Sequence, residues 1–493
     1  MSMLGVKLCA VSLVTVACLP AQRAVAPRIW NDRDLADWAT PIVNGVRPGH
    51  YSETEYYNAP KAEIVRTYPV YFPGREPAGY WQSLQRKKPE PLVAPGPRTP
   101  AEWTAAGKRA FRELDVPAFR TWDATTIGRV RNADELRKSG GDPLPDGTVA
   151  GLRWAVTSRG VALTVTECAG CHVAYFPDGS RIDGAPVNVK SNSILDDLVT
   201  AGDAVLFPGD SPPMALWRQF RVPWIPGDPN DALKNMRESD LAALFAAIPP
   251  PVFARTNGSP YYPTRIPDLN GVRNRKYLDA TATHRSRGPE DVMRYGILVG
   301  CCDSLDFGEY RFLDRAQRRV AYSFPDEVMY AIGQYLWTLD PPKNPNADLA
   351  LAARGRKVFE REGCAHCHPS PEYTNNKLTL AAGYRPPKDH PLAADILPVS
   401  VGTDPALATK TRKATGLYKV PSLRGVWYRP VLHHDGAIGS LEEWFDRGRL
   451  RHDFRPTGFV GQGVESRAIR GHEFGLNLGG EEKAALIAFL RSL

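Results

Sequence analysis

Apolar residues recur at helical spacing in several places. Between Glu481 and Leu493, the residues Leu486, Phe489, Leu490 and Leu493 stand three or four positions apart, as one buried face of a helix requires. Asp326 to Leu339 repeats that spacing and ends Gln334-Tyr335-Leu336-Trp337-Thr338-Leu339. Two more stretches share one helical pattern, Gly107-Lys-Arg-Ala110-Phe111-Arg112-Glu113 and Gly355-Arg-Lys-Val358-Phe359-Glu360-Arg361. From about Pro27 to Pro100 periodicity is weak and Pro and Tyr are frequent, which predicts an extended arm wrapped around the body rather than a domain. Leu8 to Leu19 is an apolar run behind Lys7. It has the length of an export signal and is too short to span a membrane.

These patterns pair up. Pro267-Asp-Leu269-Asn-Gly271-Val272 matches Pro421-Ser-Leu423-Arg-Gly425-Val426, Arg275 pairs with Arg429, and Leu278 with Leu432. The helix at Tyr335 matches the one at Phe489 at the same offset of 154 positions. A constant offset over that much chain predicts an internal duplication. The units then differ by insertion, with about 50 extra residues from Asp115 to about Gly160 and a further 42 or so between Cys171 and Pro267. The expected organisation is a signal peptide over 1–26, an arm over 27–98, a first domain over 99–340, a Pro-rich linker over 341–346 and a second domain over 347–493.

Composition narrows the class. With 493 residues, 43% hydrophobic and 24% charged, the chain is of ordinary globular character. Its net charge of +8 is mild for this length. It gives no case for nucleic acid, though a basic face for an acidic partner is compatible with it. No segment beyond the leader is apolar for the roughly 20 residues a membrane helix needs. The expected location is periplasmic or secreted, with cleavage after Ala21 or Ala26 and a lipid anchor at Cys18 as a minor alternative. Of eight cysteines, Cys9 and Cys18 belong to the leader. Cys301 and Cys302 are adjacent and are expected either as a vicinal disulfide or as buried thiols.

The other four cysteines carry the chemistry. Cys168-Ala169-Gly170-Cys171-His172 and Cys364-Ala365-His366-Cys367-His368 are two copies of Cys-x-x-Cys-His. In that spacing both thiols can add to the vinyl groups of one haem, and the histidine sits under its iron. A zinc ribbon places its pairs closer together and needs no His after each. Two covalently bound haem c groups are therefore expected, held by Cys168, Cys171 and His172 and by Cys364, Cys367 and His368. The fold implied is mainly α, two cytochrome c domains with inserted loops.

A second axial ligand decides whether a haem carries electrons or does chemistry. No Met follows Cys367, so the second unit has only His390, His433, His434, His452 and His472 to offer. His472, just before the last helix, is the favoured ligand. His433 and His434 are expected to bond backbone or propionate groups beside Asp435. Position 318, the counterpart of 472, is Arg318, and Phe307 to Phe324 contains neither His nor Met. The first iron is then open, or closed by His284, Met293 or Tyr277. Trp337, near the joint, is a candidate electron bridge or simply a core aromatic.

Tyr418-Lys-Val-Pro421-Ser-Leu423-Arg-Gly425-Val426, His434-Asp435-Gly436 and Leu441-Glu442-Glu443 resemble the bacterial di-haem cytochrome c peroxidase superfamily, over roughly Thr99 to Leu493. The resemblance implies peroxide reduction, oxidation of a partner protein or O2-dependent cleavage of rubber. The Trp-Asp-Gly-Arg stretch of the peroxidases is absent, with Tyr277-Leu278-Asp279-Ala280-Thr281 in its place. Gly471-His472-Glu473-Phe474-Gly475 and Phe111-Arg-Glu-Leu114-Asp-Val-Pro117-Ala-Phe119-Arg120 look more like the rubber-oxygenase branch. Peroxide cleavage wants a base and a donor to the leaving oxygen, for which His284, Arg287 and Glu290 are the local candidates. The leading expectation is a di-haem oxidoreductase reducing hydrogen peroxide with electrons from a small donor protein. The alternatives are an oxygenase acting on a hydrophobic small molecule or polymer, and an electron carrier with no substrate.

Overall fold

In a computed structural model, residues 22–190, 193–194, 209–254, 257–304, 306–313 and 319–493 are described. Cys9, Cys18, the first cleavage site and Arg318 lie outside them. The five longest helices among these residues are α1 (Pro100–Glu113), α2 (Pro289–Gly300), α3 (Asp326–Thr338), α4 (Leu349–Arg361) and α5 (Gly480–Arg491). Helix α1 is fixed at its start by Thr99 and Glu102, which cap each other's free backbone N–H groups, with Pro100 in the first turn.

Helix pairing organises each half. Helix α1 crosses α3 at Gly107, where a β-carbon would lie 1.8 Å from the Ala331 carbonyl oxygen. Helix α4 crosses α5 at Gly355, where the same atom would lie 1.8 Å from the Ala485 carbonyl oxygen. Phe111 meets Tyr335 at 5.7 Å between ring centres, and Phe359 meets Phe489 at 5.2 Å. Gly271 N donates to Leu339 O at 2.9 Å and Gly425 N to Leu493 O at 3.0 Å, both glycines having left-handed φ. Arg275 donates to the carbonyls of Asp268 and Asn270, and Arg429 to those of Ser422 and Arg424. The partners from Asp268 onward recur 154 positions later, whereas those on the leading helices, Gly107 and Phe111, recur 248 positions later because the insertions lie between.

The arm is more structured than its sequence suggests. Trp30, Trp38 and Tyr56 are fully buried in the first core beside Trp103, Phe111 and Met329. Thr67–Tyr71 pairs antiparallel with Thr148–Thr157, which forms a hairpin with Gly160–Val165. The arm and the inserted segment thus build one three-stranded sheet with its own core of Val70, Leu84, Leu136, Leu152 and Trp154. Pro69 is tolerated because its strand is at the sheet edge.

The halves meet through polar contacts. Lys419 Nζ donates to the carbonyls of Tyr277 and Leu278, and Arg265 N to the carbonyl of His434. In the linker, the Pro342 carbonyl accepts the indole N–H of Trp427 at 3.0 Å. Trp337 is half-buried on α3 against the first core. No helix among the described residues is long and apolar enough to cross a membrane.

Candidate functional site

Two residues beyond α4, Gly363 with its left-handed φ of 73° turns the chain into a single 3-10 turn, Cys364–His366. His368 N then donates to Cys364 O at 2.9 Å. The His368 ring is fixed by its Nδ1, 3.0 Å from the Tyr373 carbonyl. A carbonyl only accepts, so Nδ1 holds the proton and Nε2 keeps its lone pair. Opposite stands His472, its ring centre 6.3 Å from that of His368. Two metal–nitrogen bonds of about 2 Å, plus about 1 Å from each ring centre to its nitrogen, span about 6 Å. The pair therefore fits an iron between two imidazoles.

The loop carrying His472 is held for that position. Arg449 is 1% exposed and donates to the carbonyls of Ile469, Gly471 and His472 at 2.5, 3.0 and 3.0 Å. His472 itself adopts a left-handed φ of 47°, a strained setting for a side chain other than glycine. Burial, then the facing His368 ring, pushes the His472 imidazole down to about 4, so it is neutral and able to ligate. Its buried Nδ1 has no hydrogen-bond partner among the described residues. His390 instead accepts from Leu392 N, and His452 lies 3.3 Å from Arg470 on the surface.

His433 and His434 lie on the same side of the second half. His433 Nδ1 bonds Asp435 at 2.6 Å, and His434 packs against Tyr418 with ring centres 4.8 Å apart. These three residues are close enough to hold an ion, but the Arg467 guanidinium, 2.7 Å from Asp435, already neutralises the carboxylate. Burial alone would raise the Asp435 carboxyl; the His433, His434 and Arg467 partners outweigh it and hold it well below the usual carboxylate range. A carboxyl depressed on folding contributes stability above about pH 4 that is lost as pH falls. Asp435→Asn is therefore expected to lower stability by about 2 kcal/mol at pH 7 and by much less at pH 3, read from urea midpoints at the two pH values.

Between the halves, Arg265, Arg275, Arg429 and Lys419 converge. Asp268 is the one carboxylate hydrogen-bonded to any of the four among the described residues, through Arg429. Burial, then the neighbouring Arg275, pushes the Lys419 ammonium down to about 7, and burial with Arg429 pushes Arg265 down to about 10. An uncompensated group of cations calls for anions. The two propionates of a haem would supply them.

In the first half, Cys168–Cys171 forms one helical turn, with His172 N donating to Cys168 O at 3.0 Å and Gly184 N to His172 O at 2.8 Å. Of the ligands expected there, Tyr277 donates its hydroxyl to Asp395 at 2.8 Å, and Met293 fills the α2–α3 crossing against Gly333. Arg287 is exposed and paired with Asp291 and Asp37, and Glu290 lies beside Gly288 at the start of α2. These two do not join His284.

His284 sits in a different company. It is 5% exposed and stacks 4.2 Å from Trp38, 5.4 Å from His50 and 5.4 Å from Tyr295. Its Nδ1 lies 3.1 Å from the Thr283 hydroxyl, which bonds Asp279 in turn. Its Nε2 is buried with no partner among the described residues. Burial lowers the His284 imidazole and the Asp279 contact partly offsets this; burial with His284 pushes His50 down well below the usual range. Lys413 of the second half reaches the Tyr295 hydroxyl at 3.4 Å. His50, Trp38, Tyr295 and Lys413 were not legible as site residues, because each comes from a segment with no motif of its own. Cys301 and Cys302 are thiols with sulfurs 2.9 Å apart, Cys302 fully buried.

No family model and no curated protein matches the chain. Solved structures similar to it include one described as Kuenenia stuttgartiensis hydrazine synthase pressurised with xenon, with a TM-score of 0.30, 14% identity, and coverage of 49% of this chain and 76% of that one. Another is a MauG-like protein associated with microbial copper homeostasis, with a TM-score of 0.28, 19% identity, and coverage of 47% and 73%. Likenesses of this size carry no argument about activity.

Proposed function

We propose that the chain is an exported di-haem c-type oxidoreductase built from two copies of one cytochrome c unit, which reduces hydrogen peroxide in its first half with electrons passed through its second. Two Cys-x-x-Cys-His motifs and the matching helix crossings and loop contacts of the two halves support the two-unit reading. In the second half, His368 and His472 face each other with ring centres 6.3 Å apart and would hold a haem iron, which would suit electron transfer. Cys168, Cys171 and His172 would hold the other haem, whose iron would supply the redox chemistry for peroxide reduction.

The observation that carries the peroxidase reading is His284, with a bare Nε2 in a buried polar cluster. Thr283 and Asp279 hold its proton on Nδ1, so Nε2 is free to take a proton from the incoming peroxide and return it to the leaving oxygen. The Lys413 ammonium beside Tyr295 offsets negative charge developing there. Reduction consumes two electrons and two protons and yields two waters. A small reduced c-type cytochrome is the donor class, docking near the second half.

The test is His284→Gln in the haem-loaded protein, followed by stopped-flow with peroxide and a reduced small cytochrome. Turnover is expected to fall about 10²- to 10³-fold with both haems retained. Unchanged peroxide turnover in the variant would overturn the reading. So would O2 uptake with an alkene substrate and no reaction with peroxide, which would favour the oxygenase instead.

A further inference from the structure

Behind the first haem-attachment turn lies a cavity that the proposed reaction does not use. It has a volume of about 90 Å3 and continues into an outer recess of about 230 Å3, with Leu144, Asp146, Tyr175 and Arg181 shared between them. Its walls come from the end of α1 through Arg112, the strand Thr148–Thr157 through Arg153, and the hairpin of Val173–Tyr175 with Arg181–Asp183. Ala169, inside the first Cys-x-x-Cys-His, forms part of the same wall.

The polar groups in this cavity are not balanced. Three guanidinium groups, on Arg112, Arg153 and Arg181, face two carboxylates, on Asp146 and Asp183. Asp183 is 8% exposed. Its Oδ2 accepts from Arg112 Nε at 2.9 Å, Arg112 Nη2 at 2.8 Å and the Tyr335 hydroxyl at 2.6 Å. Its Oδ1 is buried and has no partner among the described residues. Buried carboxylate oxygens are ordinarily satisfied, so a bare one on a cavity wall points to a donor that the chain does not supply. Arg181, whose backbone pairs with the strand at Tyr175, extends an exposed side chain at the mouth. Leu144, Val149, Leu152 and Val173 give the remaining wall an apolar character.

We propose that this cavity binds a small organic carboxylate carrying a hydroxyl or amino group on the neighbouring carbon. The carboxylate would pair with Arg181 and Arg153, the O–H or N–H would donate to Asp183 Oδ1, and the carbon skeleton would lie on the apolar wall. A simple carboxylate leaves Asp183 Oδ1 unmet. Inorganic phosphate can meet both charges but leaves the apolar wall unused. Because Ala169 shares the wall, occupancy perturbs the first haem site from behind.

Titration calorimetry of the haem-loaded full chain with L-lactate, L-alanine, acetate and inorganic phosphate tests this, alongside the visible difference spectrum. Lactate or alanine is expected to bind with Kd below about 1 mM and to shift the spectrum, with acetate and phosphate at least about tenfold weaker. Arg181→Gln, a change at an exposed position, is expected to weaken the bound ligand at least about tenfold. Equal binding of acetate or phosphate, no heat from any of the four, or an Arg181→Gln protein that binds like the parent would overturn it. The readout is binding, so its failure is separate from failure of the peroxidase reading.

Discussion

Gly355→Ala is expected to destabilise the second half by about 3 kcal/mol, the upper end of what core overpacking ordinarily costs. The added carbon would lie 1.8 Å from the Ala485 carbonyl oxygen and 2.8 Å from the Phe489 β-carbon, and neither is the movable end of a side chain. Helices α4 and α5 must separate by more than an ångström to admit it. That separation breaks the packing of Phe359 on Phe489 and, through α5, the bond from Gly425 N to the Leu493 carbonyl. Gly107→Ala makes the same demand on α1 and α3, with the Ala331 carbonyl oxygen again 1.8 Å away. Thermal melts followed by far-UV circular dichroism should show each variant losing on the order of 10 °C. Gly479→Ala is the control. It has nothing within 4 Å and an ordinary φ of −67°, so the change costs only the N-cap preference for glycine over alanine, about 1 kcal/mol or less. If Gly355→Ala melts like Gly479→Ala, the close crossing is not present in solution.

Those two glycines also show what the sequence made legible. Each sits in a helical stretch three and four positions ahead of apolar residues, so the pattern predicted both the helix and its buried face. The paired Cys-x-x-Cys-His motifs and His472 stood out in the sequence because haem chemistry dictates residue type and spacing, and the fold brings His472 to face His368. The absence of any Met after Cys367 left histidine alone to face His368. The arm was not legible. Its burial rests on scattered aromatics, Trp30, Trp38 and Tyr56, that obey no period, and its strand contains Pro69, which argues against a strand unless the edge position is known. His50 was missed for the same reason. A lone histidine in an aperiodic segment gains meaning only when folding brings it 5.4 Å from His284. Arg287 and Glu290 were grouped with His284 by closeness in sequence, and the fold pairs Arg287 with Asp291 and with Asp37 of the arm.

His472→Ala is expected to turn the second haem from low to high spin and to slow peroxide turnover at least about tenfold, because the iron would lose one of two strong nitrogen ligands. His472→Met should keep a low-spin iron while raising its potential, since a thioether favours the reduced state. Added imidazole should restore the alanine variant, as the space vacated is one imidazole ring. Arg449 separates ligation from positioning. Its guanidinium binds three carbonyls of the loop, those of Ile469, Gly471 and His472, and thereby holds His472 at a left-handed φ it would not choose alone. Arg449→Met leaves those carbonyls unmet, costing about 2–3 kcal/mol, and lets the loop relax toward ordinary φ. The expected spectrum is a mixture of high and low spin rather than a clean conversion, shifting toward low spin on cooling. A fully low-spin Arg449→Met protein would mean that the metal–nitrogen bond alone holds His472 in place, and a low-spin His472→Ala protein would remove His472 from the iron altogether.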